Sequence, residues 1–266
     1  MNKKIKGLLS GAYLVFILVV ILIPIISVVV FSFNGADGRY ASLTRWKHFS
    51  FEWYTKLFTD HNIQRAIFVT FFVGIIATVV SVIIGTLAAY SLSKAKKRTR
   101  TIVMNLTNVP IVTPEIIVAM SLLIVFASVK ISTGLLSLIL AHISFCTPYV
   151  VITVYPKALE IDSQVIDAAA DLGATPGKIL RKVVLPQLKT GIIAGAIIAF
   201  SMSFDDFIIS YFVGGNYQNL STYIYTLKGT INPTINALST VILMFIAGKI
   251  MFDYFFKNKK KKIEED

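Results

Sequence analysis

Six long apolar stretches, separated by polar segments, dominate the pattern along the chain. They cover residues 8–33, 66–92, 102–129, 135–155, 191–213 and 237–256. Each can cross a bilayer as a helix, since a span needs about 20 residues for about 30 Å of hydrocarbon. Runs of this length without period-two alternation exclude a transmembrane β-barrel. The pattern therefore predicts an all-α, polytopic membrane protein with six transmembrane helices.

Three lysines precede the first stretch, as in a cleavable secretory signal. The stretch has 26 residues, however, whereas the apolar core of a signal peptide has roughly 7 to 15. We expect this segment to be the first span.

The composition narrows the possible functions. Apolar residues make up 55% of the chain and charged residues 15%, and the mean hydropathy is +0.73. A water-soluble enzyme cannot cover its surface with so few polar groups. In so apolar a chain the net charge of +12 indicates membrane orientation, and we expect no nucleic-acid partner.

The basic residues are unevenly distributed between the two sides of the predicted bundle. With the N-terminus inside, 18 of the 26 Lys and Arg residues lie on the cytoplasmic side and 7 on the outer side. Because positively charged short loops stay in the cytoplasm, we expect a multi-pass protein of the cell membrane with both termini cytoplasmic.

A cytoplasmic loop at residues 156–190 has the pattern of two short helices. Asp162 is a suitable cap for the first helix, and Gly173 supplies the backbone freedom that ends it. Thr175 and Pro176 can begin the second helix, which Pro186 is expected to end. Two amphipathic helices outside the bilayer predict a docking surface for a cytosolic partner.

This loop resembles the EAA signature of ABC-importer permeases. The matching residues are Asp167, Ala168, Ala169, Gly173, Val183, Leu185 and Pro186. Asp and Val stand where the family usually has Glu and Ile. The resemblance implies the type I permease fold, one permease domain over residues 1–266, and coupling to an ATP-hydrolysing subunit through these residues.

Residues 173–178 also resemble a phosphate-binding P-loop. Three residues instead of four separate the glycines, and Ile179 follows the lysine in place of Ser or Thr. We therefore expect this chain to be non-catalytic and to bind no cofactor, with ATP and Mg²⁺ used by partner subunits.

Three acidic residues within the apolar stretches are candidates for function. Glu115 lies in the third stretch, and Asp205 and Asp206 lie in the fifth, at similar predicted depth. A charge inside a membrane is costly, so these acids, with Tyr211, predict a pathway site for an organic cation such as a polyamine. Neighbouring helical residues point about 100° apart, so one aspartate is expected to face the pathway; we favour Asp206. Glu115 has an equal structural interpretation as a helix-start residue, since Pro110 and Pro114 indicate a break.

Other intramembrane positions favour structural interpretations. His142 is expected to be structural rather than functional, and Cys146 to pack in the interior. Gly191, Gly195 and Ala199 form a small-residue ridge that predicts close approach by a helix of a partner permease. Residues 49–58, with Trp53 and Tyr54, predict an interfacial aromatic anchor, or less favourably a contact with a soluble binding protein.

Beyond the loop, the chain resembles most closely the permeases of spermidine/putrescine importers. The matching segments are residues 109–110, 114–115, 141–148 and 203–207. The resemblance implies a heterodimer with a second permease subunit, two ATP-binding subunits, an external substrate-binding protein, and transport by alternating access.

Two other interpretations remain open. Related permeases carry thiamine, iron or phosphonates. A proton-coupled secondary transporter would also use intramembrane acids. A membrane enzyme is disfavoured because three dispersed histidines form no metal-spaced cluster.

Overall fold

The computed structural model describes residues 3–35, 45–227 and 233–265, and these residues are almost entirely α-helical. Among them the only β structure is an isolated antiparallel bridge between Asn34 and Phe49. The helices are α1 (Lys3–Phe31), α2 (Glu52–Thr59), α3 (His61–Lys94), α4 (Lys97–Val112), α5 (Glu115–Ser128), α6 (Leu135–Leu159), α7 (Ser163–Asp171), α8 (Pro176–Ile179), α9 (Leu185–Asp205), α10 (Ile208–Val213), α11 (Leu220–Thr226) and α12 (Pro233–Glu265). A π-helical turn, Leu180–Val184, joins α8 to α9.

Within the described residues, four continuous helices are long and apolar enough to cross a membrane. They are Gly11–Phe31, His61–Lys94, Leu135–Leu159 and Pro176–Asp205. The helices α4 and α5 give a fifth span if they are counted as one span bent by 107°. The sixth predicted stretch lies in α12, where the apolar helix Pro233–Lys249 is shorter. The all-α membrane architecture is confirmed, and the count of six stays a prediction.

The chain forms two compact units, and the smaller one combines Met1–Gln64 with Ile224–Asp266. In this unit α12 packs against α1 and α2. Trp53 is only 3% exposed, and its indole Nε1 donates a hydrogen bond to the Asn34 carbonyl at 2.7 Å. The Trp53 ring is therefore used for packing, and the interfacial role of residues 49–58 as a whole stays a prediction. Phe49 and Phe58, on the same segment, remain exposed.

The larger unit, Arg65–Tyr223, contains the main hydrophobic core and its most extensive helix pair, α6 with α9. Gly191 and Gly195 face α6, and a Cβ added at Gly195 would lie 3.3 Å from Cγ1 of Val150. The Ala199 carbonyl accepts a hydrogen bond from Cys146 Sγ at 3.4 Å. The small-residue ridge therefore packs within this chain, and the prediction that it receives a partner permease is wrong.

The third predicted span breaks between α4 and α5. Thr113 is extended, with ψ 136°, because a following proline disfavours the helical conformation. Glu115 then begins α5 directly after Pro114. The sequence indicated a break from Pro110 and Pro114, with Glu115 at a helix start, and the structure has Glu115 there while Pro110 lies inside the last turn of α4. The break is present, four residues later than the first proline.

Two predictions, one about the end of the cytoplasmic loop and one about the fifth stretch, are wrong. Pro186 does not end a helix, because the π-helical turn precedes it and Pro186 occupies the first turn of α9, where no N–H is required. Residues 191–213 do not form one continuous helix either. Asp206 has ψ 127° and separates α9 from α10.

Candidate functional site

The interruption between α9 and α10 is stabilised by side chains that bond the freed backbone groups. The Asp206 carbonyl accepts a hydrogen bond from Asn219 Nδ2 at 2.6 Å, and the Asp205 carbonyl accepts one from Ser221 Oγ at 3.2 Å. Lipid supplies no such partners, so an interrupted helix in a membrane protein needs them from the protein. Specific side-chain hydrogen bonds therefore stabilise the break within the fold.

The Asp206 carboxylate caps the beginning of α10. It accepts hydrogen bonds from the Ile209 and Ser210 backbone N–H groups at 3.2 and 2.8 Å and from Ser210 Oγ at 2.7 Å. An aspartate commonly satisfies the unpaired N–H groups of a helix start in this way. Its side chain is only 2% exposed, so its carboxylate oxygens bond to groups of this chain and not to solvent.

His142 connects α6 to both sides of the break. Its Nδ1 lies 2.7 Å from Ser203 Oγ in α9, and its Nε2 lies 3.0 Å from Ser210 Oγ in α10. Nε2 is also 3.4 Å from Asp206 Oδ2, and the histidine side chain is 1% exposed. These contacts fit the structural interpretation that the sequence favoured for His142.

The other two acids lie at helix ends and are exposed. Asp205 is the last residue of α9, and Glu115 is the first of α5. Glu115 interacts electrostatically with both Asp205 and Asp206, since α5 packs against α10. The structure thus brings the three predicted acids together, but it leaves Asp205 and Glu115 accessible and encloses Asp206.

Tyr211 also lies near this cluster, with 56% of its surface exposed. Its ring centroid is 5.6 Å from that of Phe207, and 5.6 Å from that of Phe212. Exposed aromatic faces beside carboxylates attract organic cations. Among the described residues, no group of three or more His, Cys, Asp or Glu side chains is arranged to hold a metal ion.

Sequence reasoning considered Ser203 only for the small-residue seam or as a pathway-lining residue, and it gave no role to Ser210 or Asn219. Ser203, Asp206 and Ser210 are spaced i, i+3 and i+7, which in a continuous helix would place them on one face, but the helix is interrupted at Asp206. Asn219, which donates to both the Asp206 carbonyl and Ser210 Oγ, lies in a loop after α10 and has no comparable pattern.

The loop between α6 and α9 has the predicted helix, glycine and helix order. Asp162 caps α7 by accepting the Gln164 N–H at 2.9 Å, and Gly173 adopts φ +76°. Thr175 occupies the cap position of α8, with Pro176 following, although its hydroxyl makes no capping bond. The positions of both helix starts and the cap at Asp162 are confirmed, whereas capping by the Thr175 side chain is not observed.

The face of this loop that points away from the hydrophobic core is accessible. Ile166 and Ala169 pack against the core, whereas Leu172 is 88% exposed. Asp167, Ala168, Gly173 and Pro186 are exposed, and Val183 and Leu185 are half-buried. An open cavity in the same loop is lined by Thr175, Gly177, Lys178, Arg181 and Lys182. The loop presents an apolar tip next to a basic surface.

Comparison with known proteins decides the family. The sequence profile described as "Binding-protein-dependent transport system inner membrane component" matches residues 81–263. The chain belongs to this family.

Its relatives in this family include two named polyamine permeases. It is 34% identical to the spermidine/putrescine transport system permease protein PotC of Haemophilus influenzae, over 94% of this chain and 97% of that protein. It is 31% identical to the putrescine transport system permease protein PotI of Escherichia coli K12, over 91% and 89% respectively. The resemblance drawn from the sequence motifs is confirmed.

Solved structures agree on the fold. A bacterial ABC transporter involved in the import of the acidic polysaccharide alginate matches with a TM-score of 0.67 and 16% identity, covering 97% of this chain and 98% of that one. The MetNI methionine ABC transporter matches with a TM-score of 0.52 and 24% identity, covering 71% and 89%. The predicted ABC-importer permease fold is confirmed.

Proposed function

We propose that this chain is the permease subunit of an ATP-driven importer that moves polyamines such as spermidine and putrescine across the cell membrane by alternating access. The observation that carries the proposal is the pair of exposed acids Glu115 and Asp205, each at the end of an interrupted helix, in a chain whose relatives are named polyamine permeases. Two separated carboxylates match a substrate with several ammonium groups.

In this proposal Asp205, Glu115 and Tyr211 contact the cation, whereas Asp206 does not. The Asp206 carboxylate already accepts three hydrogen bonds and is enclosed. This reverses the sequence-based preference for Asp206 over Asp205. Asp206 supports the pathway indirectly, because it holds the helix interruption beside which Asp205 lies.

We propose the partners that are typical of ABC importers. A second permease completes the pathway as a heterodimer, two ATP-binding subunits use ATP and Mg²⁺, and an external substrate-binding protein delivers the polyamine. The chain itself binds no cofactor and catalyses no reaction. The residues at 167–186 transmit ATP-driven closure, and the exposed Leu172 inserts into the ATPase surface. Both termini face the cytoplasm.

The main test uses the assembled complex, purified with its co-purifying subunits and reconstituted in liposomes. Spermidine is expected to stimulate ATP turnover, and thiamine, ferric iron and phosphonate are expected not to. Uptake that followed a proton gradient and was indifferent to ATP would replace the proposal with a secondary transporter. Leu172→Asp is expected to leave the permease folded and to weaken its association with the ATPase, which co-purification measures.

Orientation has its own test in intact cells. Cys146 is fully buried and is replaced by Ala, and one cysteine is then introduced as Lys178→Cys or Asn216→Cys, both exposed positions. A membrane-impermeant thiol reagent is expected to modify the second variant only. Modification of the first would place the loop outside and contradict the coupling mechanism.

A further inference from the structure

The first step of the inference is the assignment of hydrogen atoms in the network. A carboxylate only accepts hydrogen bonds, so Ser210 Oγ donates its one hydrogen to Asp206 Oδ2. Ser210 Oγ also accepts a hydrogen bond from Asn219 Nδ2. His142 Nε2 must then be a donor toward Ser210, and Nδ1 accepts from Ser203 Oγ in the neutral ring. One tautomer satisfies every contact.

The second step is the place of the imidazole between two helices. Ser203 lies in the last turn of α9, and Ser210 lies in the first turn of α10. His142, on α6, bonds to both hydroxyls. It therefore fixes α10 relative to α9 across an interruption whose own backbone is extended at Asp206.

The third step connects this bridge to the exposed acid. Asp205 is the residue immediately before the interruption, and its carbonyl is bonded by Ser221. The direction of its carboxylate depends on the backbone angles at the break. The bridge from Ser203 to Ser210 restrains these angles. Groups that hold a binding residue in place are needed for its full affinity.

We propose that His142 is a positioning residue for substrate binding: by bridging Ser203 and Ser210 across the interruption, it holds Asp205 in the geometry that binds an ammonium group of the substrate. This inference rests on the proposed function, because it requires Asp205 to contact the cation.

The test measures spermidine-stimulated ATP turnover of the reconstituted complex with His142→Phe and His142→Gln. The phenyl ring keeps the volume but removes both hydrogen bonds, and the amide keeps one donor and one acceptor. We expect His142→Phe to raise the KM for spermidine about tenfold, corresponding to the loss of one well-placed interaction, with kcat per assembled complex unchanged. His142→Gln is expected to restore much of the affinity.

The matched control is Leu138→Ala, which truncates a fully buried side chain one turn earlier on α6. It is expected to lower the amount of assembled complex without changing KM. If Leu138→Ala shifts KM as His142→Phe does, the effect is general loosening and the proposal is wrong. If His142→Phe does not assemble, Ser203→Ala and Ser210→Ala carry the test, since each removes one end of the bridge and is expected to raise KM.

A double variant separates this proposal from the proposed function. If His142 acts through Asp205, then His142→Phe adds no further KM increase in an Asp205→Asn background. Full additivity of the two effects overturns the positioning role. An unchanged KM in Asp205→Asn alone would instead refute the cation contact, whatever His142→Phe does.

Discussion

Gly173 and Gly177 allow the coupling loop to be tested with the same substitution at two positions. A Cβ added at either glycine meets no atom of another part of the chain within 4 Å, so neither alanine variant is expected to clash with its surroundings. The two positions differ in backbone conformation. Gly173 has φ +76°, whereas Gly177 lies within α8.

Because of this difference in backbone conformation, we expect the two alanine variants to change the stability of the loop in opposite directions. Forcing an L residue into the left-handed region costs about 1 to 2 kcal/mol, which is the expected penalty for Gly173→Ala. Replacing a helical glycine by alanine is favourable by about 1 kcal/mol, which is the upper limit for Gly177→Ala. The effects of one added methyl group on stability are thus expected to differ by about 1 to 3 kcal/mol between positions four residues apart.

Gly173→Pro is the stronger perturbation. Proline fixes φ near −65°, which is incompatible with the observed +76°, and it removes the N–H that donates to the Ala170 carbonyl at 2.8 Å. The turn between α7 and α8 cannot keep its geometry. We expect ATP hydrolysis to become uncoupled from uptake in the assembled complex.

The assay compares uptake and ATP turnover in the same liposomes for Gly173→Ala, Gly173→Pro and Gly177→Ala. Local stability is followed by tryptic cleavage at the exposed Lys178 and Arg181, which is expected to accelerate in the Gly173 variants only. Normal uptake by Gly173→Pro at normal expression would refute the role of this turn in coupling. Equal protease sensitivity of the two alanine variants would refute the backbone argument.

The remaining predictions concern the acids and the packing of α3. Asp205→Asn is expected to lower polyamine uptake per assembled complex, measured with labelled spermidine, and Glu115→Gln is expected to lower it less. Asp206→Asn places amide hydrogens against groups that donate to Asp206, so it is expected to destabilise the fold by about 1 to 3 kcal/mol, seen as a lower melting temperature; full stability with reduced uptake would contradict this. Gly85→Ala puts a Cβ 2.7 Å from Val150 Cβ. We expect it to lower the free energy of unfolding by about 1 to 3 kcal/mol. An unchanged melting temperature would show that α3 can shift to accommodate the methyl group.

Local rules predicted the coupling loop well because its helix ends are set by neighbouring residues. The cap at Asp162 bonds a backbone N–H two residues away, and the positive φ of Gly173 closes a turn with Ala170. Pro186 was misinterpreted because the rule that proline ends a helix assumes an α-helical register. A π-helical turn before it changes that register, and the local sequence gives no signal for such a turn.

The interruption after Asp205 could not be predicted in the same way. Apolar residues continue on both sides of it, so the hydropathy pattern indicates one span. What permits the break is a set of partners distant in sequence: His142 is 64 positions before Asp206, and Asn219 is 13 positions after it. Such a break depends on tertiary contacts. The packing of the glycine ridge against α6 depends on them too, so the local sequence could not predict it.

The two interrupted spans give their acids different electrostatic surroundings. Glu115 is the first residue of α5, and the positive end of a helix dipole stabilises a carboxylate there. Asp205 is the last residue of α9, where the negative end of the dipole disfavours a carboxylate and favours a cation beside it. The ammonium group of a substrate therefore gains more at Asp205 than at Glu115. This asymmetry is the physical reason to expect the larger loss of uptake from Asp205→Asn, and it exists because each span breaks where its acid lies.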